Sequence, residues 1–114
     1  VVGRTGRDAV TRHLPELRKN LRIDTVIING ENAAHGFGIK PEVCKGFYEA
    51  GADCVTLGNH SWDQKEIIPY IDGDPRLVRP LNYPKGTPGR GHTVLDVGGR
   101  KILIVNIMGN LFMK

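Results

Sequence analysis

Apolar residues at Ala9, Val10, Leu14, Leu17 and Leu21 follow the i, i+4, i+7 spacing of one helix face, which predicts an amphipathic helix over residues 8–20. Pro15 falls inside it and predicts a kink or a broken start. A short apolar run at residues 25–28 predicts a strand. Pro41 then opens a second helix and Gly51 closes it, the usual asymmetry of helix ends. Residues 54–57 predict a second strand, after which Asp63 and Glu66 stand at capping-box spacing for a short helix to about residue 71.

The segment 72–91 is rich in Gly, Pro and Arg and reads as irregular surface chain around a short Leu77-Val78 strand. Residues 92–97 alternate polar and apolar, and Gly98-Gly99 turns the chain into residues 101–107, a hairpin signal. The run Ile102-Leu103-Ile104-Val105 predicts burial on both faces. The order of elements gives an α/β chain of strand–helix–strand units plus a hairpin. A helix over 8–20 should be a crossover between parallel strands, yet only the loop-like Val1-Val2-Gly3-Arg4-Thr5-Gly6-Arg7 precedes it. The expectation is that an opening strand lies upstream of Val1 and that residues 1–114 form a partial domain, cut at both ends.

Both strands end in polar residues. The first runs into Asn29-Gly30-Glu31-Asn32 and the second into Gly58-Asn59-His60-Ser61-Trp62-Asp63. One helix links the two strands, so they should be parallel neighbours whose C-terminal ends open on the same sheet edge, where open α/β sheets bind ligands. Glu31, Asn32, Asn59 and His60 are therefore expected to converge. A carboxylate can bridge two hard cations, and amide oxygens are neutral ligands that keep such a site positive. Paired cations polarise phosphoryl oxygens and lower the pKa of a bound water, while an imidazole beside them can protonate a leaving alkoxide. Asp63 or a backbone carbonyl is a candidate to orient the other ring nitrogen of His60. Against this, Asn29-Gly30 is a common turn dipeptide, Asn59 could cap a turn and His60 could be a satisfied core histidine. His35, in the loop over the same edge, is a substrate-contact candidate, although a lone loop histidine is more often incidental.

Composition narrows the partners. At 114 residues with 39% hydrophobic content the chain suffices for one modest core. No apolar run approaches the ~20 residues of a membrane span, and no signal-peptide pattern is present, so no membrane partner is expected. Cys44 and Cys54 lack the spacing of a zinc knuckle and read as small buried hydrophobes in a reducing, cytoplasmic setting. Sixteen basic against twelve acidic residues give a formal charge of +4, which suits anionic substrates and could assist RNA contact. A non-enzymatic RNA-binding module is thus a competing reading, weakened by an aromatic content of only 6%. A homo-oligomer is left open.

At the two strand ends the text resembles a known family. Gly58-Asn59-His60 is similar to the signature of calcineurin-like metallophosphoesterases. The wider set resembles the bacterial YmdB-like phosphodiesterases: Asn29-Gly30-Glu31-Asn32-Ala33-Ala34 with Gly36-x-Gly38, Thr56-Leu57-Gly58-Asn59-His60-Ser61-Trp62-Asp63, Arg79-Pro80-x-Asn82-Tyr83-Pro84 and Gly86-Thr87-Pro88-Gly89. The likeness runs over essentially the whole chain, with its motifs in the expected order.

The resemblance implies the N-terminal part of a mixed-sheet sandwich and a centre of two metal ions, commonly iron or manganese. It implies hydrolysis of phosphodiesters, 2′,3′-cyclic nucleotides among them, with a phosphomonoesterase as the nearest alternative. Carried over, Glu31 matches a bridging carboxylate, Asn32 and Asn59 match ligands to one metal each, and His60 matches the proton donor. The family's first metal-binding Asp would lie just before Val1, and three His ligands would follow Lys114. Residues 1–114 alone are accordingly expected to bind metal weakly and to turn over little.

Overall fold

The computed structural model describes residues 1–34, 36 and 38–109. Helix α1 (Gly3–Asn20) is followed by strand β1 (Ile27–Asn29), helix α2 (Pro41–Ala50), strand β2 (Cys54–Thr56), helix α3 (Ile67–Ile71) and strand β3 (Leu77–Val78). Strands β4 (His92–Val97) and β5 (Arg100–Val105) complete the order. The first three strands form a parallel sheet in chain order, with Ile27 beside Cys54, Asn29 beside Thr56 and Val55 beside Leu77. The last two form an antiparallel hairpin whose Gly98 and Gly99 both have positive φ, as a tight two-residue turn requires. The chain is a mixed α/β fold.

Alternation along the strands builds three layers. Ile28, Val55 and Leu77 join Phe47, Ile39, Ile67 and Ile71 in one buried cluster, against which Val10 and Leu14 of α1 pack. Cys54 and Val78 bury with Leu95, backed by Val97, Ile102 and Ile104 of the hairpin. The helices and the hairpin thus pack on opposite sides of the parallel sheet. Arg18 fixes the end of α1 by donating to Asp53 Oδ2 at 2.6 Å and to the Gly51 carbonyl at 2.6 Å, while the same carboxylate oxygen accepts Val26 N–H at 2.9 Å. Cys44 and Cys54 are both free and buried. No described helix is long and apolar enough to cross a membrane.

Four sequence expectations need correction. The first helix begins at Gly3 rather than residue 8. Two glycines make that stretch a poor helix former in isolation, but Gly3 N–H is bonded to the Asn32 carbonyl and Gly6 N–H to the Val2 carbonyl, so tertiary contact overrides propensity. The same helix passes through Pro15 as one element, so its start is not broken there. The capping box does not form: α3 starts at Ile67 with Glu66 making no side-chain cap, because the Asp63 carboxylate is engaged with His60. Finally, β5 is not buried on both faces. Leu103 is 61% exposed and Val105 43%, and opposite them Val94 is 56% exposed, so the hairpin's outer face is open and only its inner face packs. Among the smaller shifts, β1 is offset to Ile27–Asn29, because Val26 N–H leaves the ladder for Asp53.

Candidate metal and phosphate site at the strand ends

Because β1 and β2 are parallel and in register, Gly30 and Leu57 leave the sheet side by side. Gly30 N–H donates to the Thr56 carbonyl at 2.8 Å. Gly30 itself is wedged between Ile39 and Val55, where a β-carbon would come within 2.8 Å of both side chains. This close packing turns the chain outward at Glu31. The Asn29 side-chain oxygen accepts Glu31 N–H at 3.2 Å and steadies the turn.

The two strand ends then meet. The Glu31 carboxylate occupies the space that a β-carbon on residue 58 would fill, with 2.5 Å separating that point from the carboxylate carbon. Glu31 and Asn59 line one open cleft of about 310 Å³ together with Asn29, Gly58, Asn106 and Met108. No basic side chain among the described residues pairs with the Glu31 carboxylate.

His60 and Asn32 are not among the residues lining that cleft. His60 follows Asn59 in the chain, with Nδ1 2.7 Å from Asp63 Oδ2. Ring and carboxylate are each about one-third exposed, 33% and 36%. Asn32 lies in the loop beyond Glu31, where its backbone pairs with Val2 and accepts Gly36 N–H at 2.9 Å. The two loops are locked together at Gly38, whose β-carbon would sit 2.9 Å from the His60 carbonyl oxygen. His35 lies outside the described residues.

Asn106, which follows β5, was not identified from the sequence. Its side-chain amide donates to the Leu57 carbonyl at 2.5 Å and to the Val78 carbonyl at 3.0 Å. Both amide hydrogens are used, so the side-chain oxygen is the atom left for a ligand. A signal existed: Asn106 is the polar residue ending a third apolar run, the criterion that found Glu31 and Asn59. Tyr83, known only as motif text, donates to the Gly58 carbonyl at 2.7 Å and so buttresses the turn from below. Ser61 is fully buried and donates to the same carbonyl at 2.5 Å.

The donor set suits hard cations in part. One carboxylate with no described cationic partner and several amide oxygens are oxygen ligands of the kind magnesium, manganese or ferrous iron accept. Among the described residues no three His, Cys, Asp or Glu side chains gather as a metal cluster. Glu31, Asn59 and Asn106 are the cleft residues that could hold such a cation.

Comparison with known proteins agrees with this partial character. The chain is 45% identical over 113 residues to the 2′,3′-cyclic-nucleotide 2′-phosphodiesterase of Bacillus subtilis (strain 168), covering 99% of this chain and 43% of that one. A crystal structure of a hypothetical protein from Thermus thermophilus superposes with a TM-score of 0.92 at 49% identity, over 99% of this chain and 44% of that one. A structure described as a novel phosphatase of Mycoplasma pneumoniae does so with a TM-score of 0.86 at 34% identity, over 96% and 40%. The chain thus spans less than half the length of these relatives. A family profile described as YmdB-like protein matches residues 1–114, and the chain belongs to that family.

Proposed function

We propose that this chain forms one wall of a metal-dependent phosphodiesterase acting on small phosphodiesters such as 2′,3′-cyclic nucleotides. On this reading the segment is the N-terminal part of a calcineurin-like metallophosphoesterase sandwich. The observation that carries the proposal is the Glu31 carboxylate, held against Gly58 without a described cationic partner, in a cleft shared with Asn59. A carboxylate without a cationic neighbour, in a cleft shared with amide side chains, is an oxygen ligand available to a cation. The name of the Bacillus subtilis relative supports the substrate class.

Glu31 and Asn59 would hold the metal, iron or manganese, from the cleft, with Asn32 in the adjoining loop as a further candidate. When bound, such ions supply charge stabilisation at the phosphoryl oxygens and ease ionisation of water. The remaining work falls to the chain. Asp63 holds the His60 ring through Nδ1, and Nε2 is then the atom that carries a proton to the departing ribose oxygen. Asn106 lines the same cleft, its side-chain nitrogen fixed by two strand carbonyls and its oxygen left for a ligand.

The test uses the protein at the full length of its relatives, loaded with manganese and assayed on bis(p-nitrophenyl) phosphate and 2′,3′-cyclic AMP. Glu31→Gln should lose metal and turnover together, whereas His60→Ala should keep metal and lose turnover. Equal metal loss in both variants would make His60 a ligand. A second reading, hydrolysis of phosphomonoesters, draws on the phosphatase description of the Mycoplasma pneumoniae structure. Higher kcat/KM on a nucleoside monophosphate than on the cyclic diester would favour it.

A further inference from the structure

A second cleft, of about 450 Å³, lies between the segment 79–91 and the start of β4. Its walls include Arg79, Tyr83, Lys85, Arg90 and His92, with no carboxylate among the residues that line it. Arg79 is consumed by the fold, since its guanidinium donates to the carbonyls of Pro80, Thr87, Pro88 and Gly89. Lys85 and Arg90 form no ion pair with any described acidic residue. The Asp72 carboxylate is bonded to the loop backbone, accepting Gly89 N–H at 2.6 Å. Two cationic side chains therefore face a cleft in which no described group neutralises them.

This cleft adjoins the strand-end site. Gly91 accepts Asn106 N–H at 3.1 Å, and Leu81 N–H donates to the Asn106 carbonyl at 2.7 Å. Tyr83 belongs to the basic cleft while its hydroxyl touches Gly58 of the other. One tyrosine side chain thus spans the two. The tyrosine ring stands 6.2 Å from that of Trp62, centroid to centroid. Cationic groups that track a backbone, next to aromatic rings that can receive a base, are the pattern of single-strand binding.

We propose that the basic cleft holds the backbone phosphate preceding a 2′,3′-cyclic phosphate at the 3′ end of single-stranded RNA, and that such RNA ends are the preferred substrate. The inference rests on the phosphodiesterase reading above. A 2′,3′-cyclic phosphate arises only on ribose, and at an RNA end the same nucleoside also carries a 5′-linked phosphate. A free cyclic mononucleotide lacks that phosphate and leaves Lys85 and Arg90 unused. In the reaction a water oxygen bonds to phosphorus and the P–O2′ bond breaks. One water proton goes to O2′ and the other to solvent, which leaves a 3′-phosphomonoester on the RNA.

The experiment compares the full-length manganese-loaded protein with its Lys85→Ala/Arg90→Ala variant on two substrates, 2′,3′-cyclic AMP and a tetranucleotide ending in a 2′,3′-cyclic phosphate. Both side chains are on the surface segment, and a Lys85→Glu/Arg90→Glu variant with a matching circular dichroism spectrum guards against misfolding. The ratio of the two KM values should shift by ~10-fold in the alanine variant, and further on charge reversal. Binding of the uncleaved tetranucleotide, read by fluorescence anisotropy against salt, should lose a slope of about one phosphate contact. An unchanged KM ratio together with an unchanged salt slope overturns the cleft. If the wild-type protein hydrolyses neither substrate, the phosphodiesterase reading fails instead, and the salt slope still decides whether the cleft holds RNA.

Discussion

The carboxylate of Glu31 lies against the backbone of Gly58, in the space any side chain at position 58 would claim. Two loops far apart in the chain are thereby joined at the mouth of the sheet. Gly58→Ala must displace the carboxylate or the turn. Manganese affinity of the full-length protein should fall ~10-fold or more, and stability by ~1–3 kcal/mol. Calorimetric titration alongside a thermal melt checks both. Native metal affinity in this variant would detach Glu31 from metal binding.

Asp63 lies 2.7 Å from His60 Nδ1 and is not among the residues that line the main cleft. Asp63→Asn should lower kcat by ~10–100-fold with little change in KM or metal content, as expected when the partner that orients an imidazole is replaced. A rise in KM at constant kcat would place Asp63 in substrate binding instead.

Alkaline pH should unfold this chain through its buried thiols and phenols. Burial, reinforced by Asp74, pushes the Cys44 thiol from 9.0 up to about 12, and burial raises Cys54 to about 11. Tyr48 and Tyr70 are also raised, first by burial and then by donating to Asp74 Oδ2 at 2.8 and 2.7 Å. Each folded-state pKa lies above its unfolded value, so the protonated form is favoured by folding. That stability is fully present below pH 9.0 and is lost as the unfolded chain ionises while pH rises toward 12. Melting temperature should be nearly flat up to about pH 9 and fall steeply above it. Cys44→Ala should soften that fall, and circular dichroism melts from about pH 7 to about pH 11 would show whether it does.

Arg79 gathers four backbone carbonyls at 2.9–3.4 Å, a task that uses the fork of the guanidinium. Arg79→Lys keeps the charge but cannot serve all four. We expect a loss of ~2–3 kcal/mol and faster hydrogen exchange across residues 84–91. Unchanged exchange there would mean that the prolines and glycines of the segment hold it unaided.

The path of the chain was largely legible because its signals are local. Pro41 and Gly51 bracket α2 as read, the Leu77-Val78 strand is present, and Gly98-Gly99 makes the hairpin turn. The meeting of Glu31 with Asn59 followed from topology alone, since one helix between two strands makes them parallel. What failed depended on partners and packing that spacing alone does not name. Nothing near Gly3 announces that Asn32 will receive its N–H and start α1 early. Asp63 has the spacing of a cap yet bonds His60, a competition that spacing cannot settle. The run at residues 102–105 was apolar enough for two buried faces, but apolarity does not say how many faces are covered. Asn106 was missed because its value comes from Leu57 and Val78, 49 and 28 residues earlier.

That amide has a mechanical corollary. One side chain is pinned to the tips of β2 and β3 at once, and it extends from the end of the hairpin on the opposite side of the sheet. Any tilt of the hairpin must either shear those two bonds or drag both tips with it. A molecule that leaned on the exposed Leu103 face of the hairpin would therefore load the strand-end cleft through Asn106.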